Sequence, residues 1–151
     1  MQGLNTPHKK GVRVDYQMMT APCGLDCFNC PVYLAEEDED LRAKIAERLD
    51  IPPEKVLCRG CRNENGTIAC LNMIEPCNVY KCIQKKDVDF CFDCDDFPCD
   101  YLHPYADEAK YRPHNTKVFN LCLIKKMGLE SWAEGKARDV KETYFRKKFR
   151  L

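Results

Sequence analysis

Cysteine is the residue in this sequence whose number and spacing could do chemistry. The chain has 151 residues and 12 cysteines, and 11 of the 12 lie between positions 23 and 99. The spacing C-x2-C recurs three times, at 27/30, 58/61 and 91/94. Such a turn places two sulfur atoms on one side of a tight loop, where backbone N–H groups favour the metal-binding thiolate. Two half-sites of this kind complete a tetrahedral zinc site, so the spacing indicates metal ligation.

The cellular compartment of the protein determines whether its cysteines form metal sites or disulfide bonds. The N-terminal residues contain no apolar run of signal-peptide length, and no stretch approaches the length of a membrane span. The sequence therefore favours a cytoplasmic protein without a membrane partner, in which thiols stay reduced and CxxC pairs hold metal ions. Structural disulfides are the main alternative interpretation.

The predicted metal ligands are the cysteines of the three half-sites and those that accompany them in the pattern. They are Cys23, Cys27, Cys30, Cys58, Cys61, Cys77, Cys82, Cys91, Cys94 and Cys99. At four thiolates per ion, this set predicts two or three zinc ions. The best local set is Cys77, Cys82, Cys91 and Cys94. Cys70 is left open as a ligand, and Cys122 is interpreted as a buried apolar residue on a helical face.

The first three cysteines also fit a different cofactor. In CGLDCFNC they are spaced C-x3-C-x2-C, as in the radical enzymes that hold a [4Fe–4S] cluster and use S-adenosylmethionine. The chain is too short for the βα barrel of those enzymes and lacks its alternating strands and helices. An iron–sulfur protein with a redox or radical-related role is the alternative to zinc, because such clusters also take four cysteine ligands.

No catalytic residue is predicted. The histidines His8, His103 and His114 follow no metal-enzyme spacing, and the aspartates of DCDDFPCD are interpreted as caps of a turn or helix. Thiol–disulfide exchange usually places its CxxC pair at a helix start in a βαβ unit, and that context is missing. Enzymatic activity is left open, with a non-enzymatic role favoured.

The chain that must position these cysteines divides into three parts. Residues 1–20 are predicted to be a polar, partly disordered lead-in. Residues 21–105 form the cysteine-rich metal-binding domain, and residues 106–151 form a helical extension packed on the same domain. The predicted fold is small and mainly α, with a metal-stapled zinc-knuckle region followed by a C-terminal helical hairpin.

Helices are predicted from apolar periodicity and from cap signals. Leu41, Ile45 and Leu49 recur at i, i+4 and i+8 behind the acidic run EEDED, which suits the first turn of a helix. Three further helices are expected: one with Pro98 at its first position, one that ends at a cap at Gly128, and one that begins after a cap at Ser131. In the helix before Gly128, one face is expected to carry Val118, Leu121, Cys122 and Lys125.

Charge argues against nucleic acid as a partner. The chain has 24 basic and 24 acidic residues, so its formal net charge is zero. Residues 87–100 contain six aspartates and no Lys or Arg, whereas residues 136–151 contain seven Lys or Arg and two acids. A protein partner, or contact between the basic tail and the acidic segment, is therefore favoured over DNA.

The cysteine motifs together resemble an uncharacterised family of bacteria and archaea. The matching stretches are CGLDCFNCPVYLA, then CRGC, then CFDCDDFPCDYL, and they cover about residues 20–105. This resemblance implies a prokaryotic cytoplasmic protein that binds zinc, and all ten predicted ligands fall on the pattern. The family has no known activity. The function predicted from residues and resemblance together is a zinc-binding protein with structural four-cysteine sites that serves as a protein-interaction or regulatory module.

Overall fold

The computed structural model describes residues 13–151, and its regular structure is helical. Within that range there is no β-strand, only an isolated antiparallel bridge between Thr20 and Asp26. The α-helices are α1 Pro31–Leu34, α2 Glu39–Leu49, α3 Asn78–Lys86, α4 Lys117–Met127, α5 Leu129–Gly135 and α6 Ala137–Arg146. Short 3-10 turns span Cys27–Asn29, Pro53–Lys55, Ala69–Leu71, Cys91–Asp93, Asp100–Leu102 and Pro113–Thr116. The predicted class, small and mainly α with a helical C-terminus, is confirmed.

Two other sequence expectations concern the N-terminal residues and membrane spans. The lead-in predicted for residues 1–20, and His8 within it, lie largely outside the described residues, which begin at residue 13. No helix between residues 13 and 151 combines the length and the apolar character needed to cross a membrane.

The amphipathic helix predicted from Leu41, Ile45 and Leu49 is present as α2, and both of its ends are capped. The side chain of Asp38 accepts a hydrogen bond from the Leu41 N–H at 2.9 Å and so caps the first turn. The helix ends at Leu49, and the next residue, Asp50, adopts a left-handed conformation. Leu41 and Ile45 pack on a small core of Ala35, Ala46 and Val56, whereas Leu49 stays exposed. This core fixes the chain that leads to the second cysteine pair.

The C-terminal part consists of three short helices rather than a two-helix hairpin. Helix α4 buries Leu121 and Ile124, and α5 buries Trp132 completely. Gly128, at φ +86°, separates α4 from α5 as the predicted cap. Since α5 starts at Leu129, the cap predicted at Ser131 is wrong.

Two further sequence predictions in this half are also wrong. Cys122 is exposed, because α4 turns its Asn120, Leu121 and Ile124 face to the core. No helix starts at Pro98; the chain makes only the turn Asp100–Leu102 there. The residue before a proline is disfavoured in a helix, so Pro104 ends that turn at once.

Hydrogen bonds and one cation–aromatic contact join the three cysteine segments to each other. Arg62 donates to the backbone oxygens of Thr20 at 2.9 Å and Asp89 at 2.7 Å, and its guanidinium lies 4.8 Å from the centre of the Phe90 ring. The Cys91 N–H donates to the Pro22 oxygen at 3.0 Å. One side chain and one backbone bond therefore hold all three cysteine segments in register.

Candidate metal centre

The first and third C-x2-C pairs form tight hydrogen-bonded turns, as their spacing predicts. The Cys30 N–H donates to the Cys27 oxygen at 2.8 Å, and the Cys94 N–H donates to the Cys91 oxygen at 3.2 Å. In the middle pair, Gly60 has φ +86°, a left-handed conformation that glycine adopts without strain. A Cβ placed at Gly60 would lie 3.6 Å from the Cys27 sulfur. The first and second turns are therefore in direct contact.

Four cysteines around the third turn line one small cavity. Cys82 comes from α3, Cys91 and Cys94 come from the third turn, and Cys99 follows Pro98. The cavity measures about 20 Å³, and the rest of its lining is mostly apolar. Its volume matches one water-sized particle. Three separate segments thus present four sulfur-bearing side chains to a space of atomic size.

The sulfur of Cys94 also receives polar contacts. Lys86 Nζ donates to Cys94 Sγ at 3.1 Å, and the Asp96 N–H donates to the same sulfur at 3.4 Å. Lys86 also forms an ion pair with Asp96, and the hydrogen bonds to Asp96 and Cys94 raise the pKa of Lys86. A fixed positive charge therefore stands beside the cavity.

Cys77 does not belong to this cavity, although it was part of the best local set in the sequence. Its sulfur accepts a hydrogen bond from the Tyr80 N–H at 3.4 Å and caps the start of α3. Cys77 has the extended backbone of an N-cap residue, whereas Cys82 lies within α3 and lines the cavity, so the two side chains have different neighbours. Cys99 lines the cavity with the other three members of the set.

A second group of cysteines surrounds the Gly60 turn. Burial is the main cause that raises the pKa of Cys27 to about 12, and the neighbouring thiols of Cys30 and Cys58 raise it further. Burial also raises the pKa of Cys58 to about 11, and a backbone hydrogen bond from Gly60 opposes this change. These thiols are therefore neutral at pH 7 unless a cation stabilises their charged form.

Cys61 links this group to the remaining cysteines of the first half. Its pKa is raised by burial and then by Cys23, Cys27 and Cys77. At the third turn, the pKa of Cys91 is raised to about 12, first by burial and then by Cys23 and other thiols. The ten predicted ligands are thus arranged as neighbouring clusters rather than dispersed over the surface.

Glu64 is a residue at this group that the sequence reasoning missed. Its Oε1 accepts from the Arg59 N–H at 2.9 Å, while its buried Oε2 has no hydrogen-bond partner among the described residues. The Glu64 carboxylate raises the pKa of both Cys58 and Cys70, after burial and the Cys30 thiol. The signal in the sequence was a carboxylate three residues after the CRGC pair.

The side chains are not arranged around a common ion. From residue 13 onward, no three or more His, Cys, Asp or Glu side chains form a group that could hold a metal ion. All 12 cysteines are free thiols, so the disulfide alternative finds no support in the structure. The donor set and the cavity size fit zinc, whereas the present side-chain orientations do not yet provide ligation.

Neither of the two described histidines lies with the cysteines. His114 lies within the 3-10 turn Pro113–Thr116 and its ring is half-buried, and burial is the main cause that lowers its pKa to about 4. His103 is exposed beside the Tyr105 ring.

Comparison with known proteins identifies one relationship. A family model described as "Protein of unknown function (DUF3795)" matches residues 19–104. No curated protein and no solved structure matches the chain. The matched range agrees with the resemblance drawn from the motifs, contains all ten predicted ligands and Cys70, and excludes α4, α5 and α6.

Proposed function

The chain belongs to the DUF3795 family of proteins of unknown function, and we propose that it binds structural zinc through Cys82, Cys91, Cys94 and Cys99. The observation that carries this proposal is the single cavity of about 20 Å³ that all four cysteines line. Four thiolates are a common donor set of structural zinc sites, which are tetrahedral and closed.

The size of the cavity favours one ion over an iron–sulfur cluster at this position. A volume of about 20 Å³ holds one water-sized particle, whereas a [4Fe–4S] cluster contains eight atoms. Bound zinc would supply cross-links between α3 and the segment from Cys91 to Cys99. Lys86 would offset part of the excess negative charge, because four thiolates outweigh one dication.

The expected energetic effect is large enough to determine folding. A structural zinc ion contributes about 10–16 kcal/mol of apparent binding free energy, and a whole domain is stable by about 5–15 kcal/mol. The segment around the third turn contains only short 3-10 turns between α3 and α4. Zinc ligation would therefore be the main source of order there.

The other predicted ligands are proposed to hold one or two further zinc ions. They are Cys23, Cys27, Cys30, Cys58, Cys61 and Cys77. The mutual effects of these thiols on their pKa values and the contact between Gly60 and Cys27 support this extension. Cys70 and the unpartnered Oε2 of Glu64 are candidate additional donors to the same group.

The proposed role of the zinc-stapled region is to bind a protein partner in a reducing compartment such as the cytoplasm. Free thiols throughout the chain are typical of such a compartment. The segment that follows Cys99 exposes three aromatic rings, with Tyr101 at 52%, Tyr105 at 62% and Tyr111 at 76% exposure. Aromatic residues are enriched in protein interfaces, so this segment is the candidate contact surface.

Metal analysis of anaerobically purified protein tests the proposal. We expect two or three zinc ions per chain, and one fewer in the Cys99→Ser variant. Cys122→Ser is the matched control, because Cys122 is exposed and lies outside both cysteine groups; it should retain full zinc content. Iron with acid-labile sulfide in place of zinc, or unchanged zinc in Cys99→Ser, would refute the site.

A further inference from the structure

An open groove of about 710 Å³ lies between the third cysteine turn and the junction of α4 with α5. Its lining includes the rings of Phe90, Phe92 and Phe97. The first two rings are stacked, with centres 5.2 Å apart and planes 7° apart. Phe90 is only 5% exposed, so the half-buried rings of Phe92 and Phe97 supply the aromatic surface that a ligand can reach.

The groove also carries exposed negative charge. Asp93 and Asp95 line it and are exposed, within a segment that contains six aspartates. Asp96 is already paired with Lys86, whereas Lys125 is the single basic residue in the lining of the groove. An aromatic groove with an acidic rim complements a ligand that combines an apolar side chain with basic neighbours.

Such a ligand is present in this chain, in the segment KKFRL at residues 147–151. Phe149 is 87% exposed, and Lys148 and Arg150 flank it. The backbone becomes extended at Lys147, directly after α6. In an extended segment alternate side chains point to opposite faces, so Phe149 and Leu151 share one face and Lys148 and Arg150 the other.

We propose that the groove binds segment 147–151 of a second copy of this chain. Phe149 and Leu151 would contact the aromatic surface, and the long side chains of Lys148 and Arg150 would reach the carboxylates at the rim. The chain's own segment does not occupy its groove, because Phe149 is exposed and Lys147 pairs with Asp139 of α6. Charge complementarity favours the basic segment as the ligand of the groove. Because the chain's own segment lies outside its groove, a second copy is favoured as the source of that segment.

Association of the full-length, metal-loaded protein provides the first test. Sedimentation equilibrium over a concentration series should show reversible self-association that weakens at high salt, because exposed charges are screened. Phe149→Ala and Asp95→Lys should each weaken association by about tenfold or more. Asp107→Lys is the control, since Asp107 is equally exposed but lies outside the groove; it should associate like the wild type.

A mixing experiment separates binding in trans from binding within one chain. Asp95→Lys keeps an intact basic segment, and the Lys148→Glu/Arg150→Glu variant keeps an intact groove. Each variant alone should associate at least about tenfold more weakly than the wild type, and an equimolar mixture should form a heterodimer at concentrations where each variant alone is monomeric. A wild type that stays monomeric at every concentration, association that none of these variants weakens, or a mixture that stays monomeric would each overturn the proposal. Zinc content measured in parallel would distinguish a failure of the self-association proposal from a failure of the zinc sites.

Discussion

Lys141 Nζ of helix α6 lies 3.1 Å from Asp26 Oδ1 and donates to the Asn29 oxygen at 3.0 Å. Asp26 sits inside the CGLDCFNC motif, and its side chain is 3% exposed. Helix α6 lies outside the range that the family model matches. An ion pair therefore connects the C-terminal extension to the first cysteine turn.

Removing the charge of Lys141 should destabilise the fold. In Lys141→Met the carboxylate of Asp26 stays buried without its cation, which costs about 3 kcal/mol. Urea denaturation of the metal-loaded protein measures this change. The double variant Asp26→Asn/Lys141→Met should recover most of the loss, because no buried charge remains. Lys126→Met, at an exposed position on α4, is the control and should shift the midpoint little. Equal midpoints for Lys141→Met and Lys126→Met would contradict the role of the pair.

Chelation of zinc at neutral pH should unfold residues 23–99 while α4, α5 and α6 partly persist. The first half depends on ligation, whereas Ile124, Trp132 and Ala133 of the C-terminal helices also pack on each other, in a cluster that Phe28 of the first cysteine turn completes. Hydrogen exchange measured by mass spectrometry should show loss of protection in the cysteine-rich half alone. The fluorescence of Trp132 should shift to the red, because its ring loses the edge contact with Phe28 at 5.8 Å. Unchanged circular dichroism after complete metal removal would argue against the prediction.

Alanine substitutions at two glycines should differ in cost. Gly60→Ala imposes only the strain of a left-handed backbone, about 1–2 kcal/mol. Gly66→Ala has the same strain at φ +83°, and its Cβ would also overlap the Tyr80 ring. We expect Gly66→Ala to lower the free energy of unfolding more than Gly60→Ala. Gly135→Ala, where space is open, is the control and should be neutral or slightly stabilising. Equal losses of unfolding free energy in Gly60→Ala and Gly66→Ala would show that overlap with the Tyr80 ring does not contribute.

His114 should make stability fall in mild acid. Burial, followed by the charges of Lys117 and Arg112, lowers its pKa to about 4, and Glu108 opposes this change. The unfolded chain binds this proton near pH 6.5, so it carries more protons than the folded chain between about pH 6.5 and 4. Stability therefore decreases as pH falls through that window, by about 1–2 kcal/mol after allowance for a half-buried ring.

The measurement for His114 is a comparison of urea midpoints across pH. His114→Gln should lose this part of the pH dependence, because glutamine does not titrate. Protonation of the cysteine groups affects wild type and variant alike, so the difference between them isolates His114. His103→Gln, at an exposed ring, should keep the wild-type profile. A His114→Gln curve parallel to the wild type would exclude the assignment.

The sequence was sufficient for the features that depend on local spacing. The tight turns of the first and third cysteine pairs, the amphipathic helix α2 and the Gly128 boundary follow from neighbouring residues, and each was predicted. The family assignment followed from the same motifs.

The sequence did not predict the directions in which individual side chains point or the neighbours that they contact. Cys77 and Cys82 are close in sequence, but the helical turn between them sends them to different neighbours. Cys122 belongs to an apolar stretch, yet the helix turns Leu121 rather than Cys122 inward. The unpartnered oxygen of Glu64 depends on tertiary packing, which no spacing rule describes.

The bridging position of Arg62 has a consequence for how the protein would acquire its metal ions. One guanidinium contacts the backbone before the first cysteine pair and the backbone before the third, while its own residue follows the second. The three segments cannot shift independently without breaking these bonds. Under the proposed function, filling of one centre preorganises the next, so titration with zinc would be cooperative and partially loaded chains would be scarce.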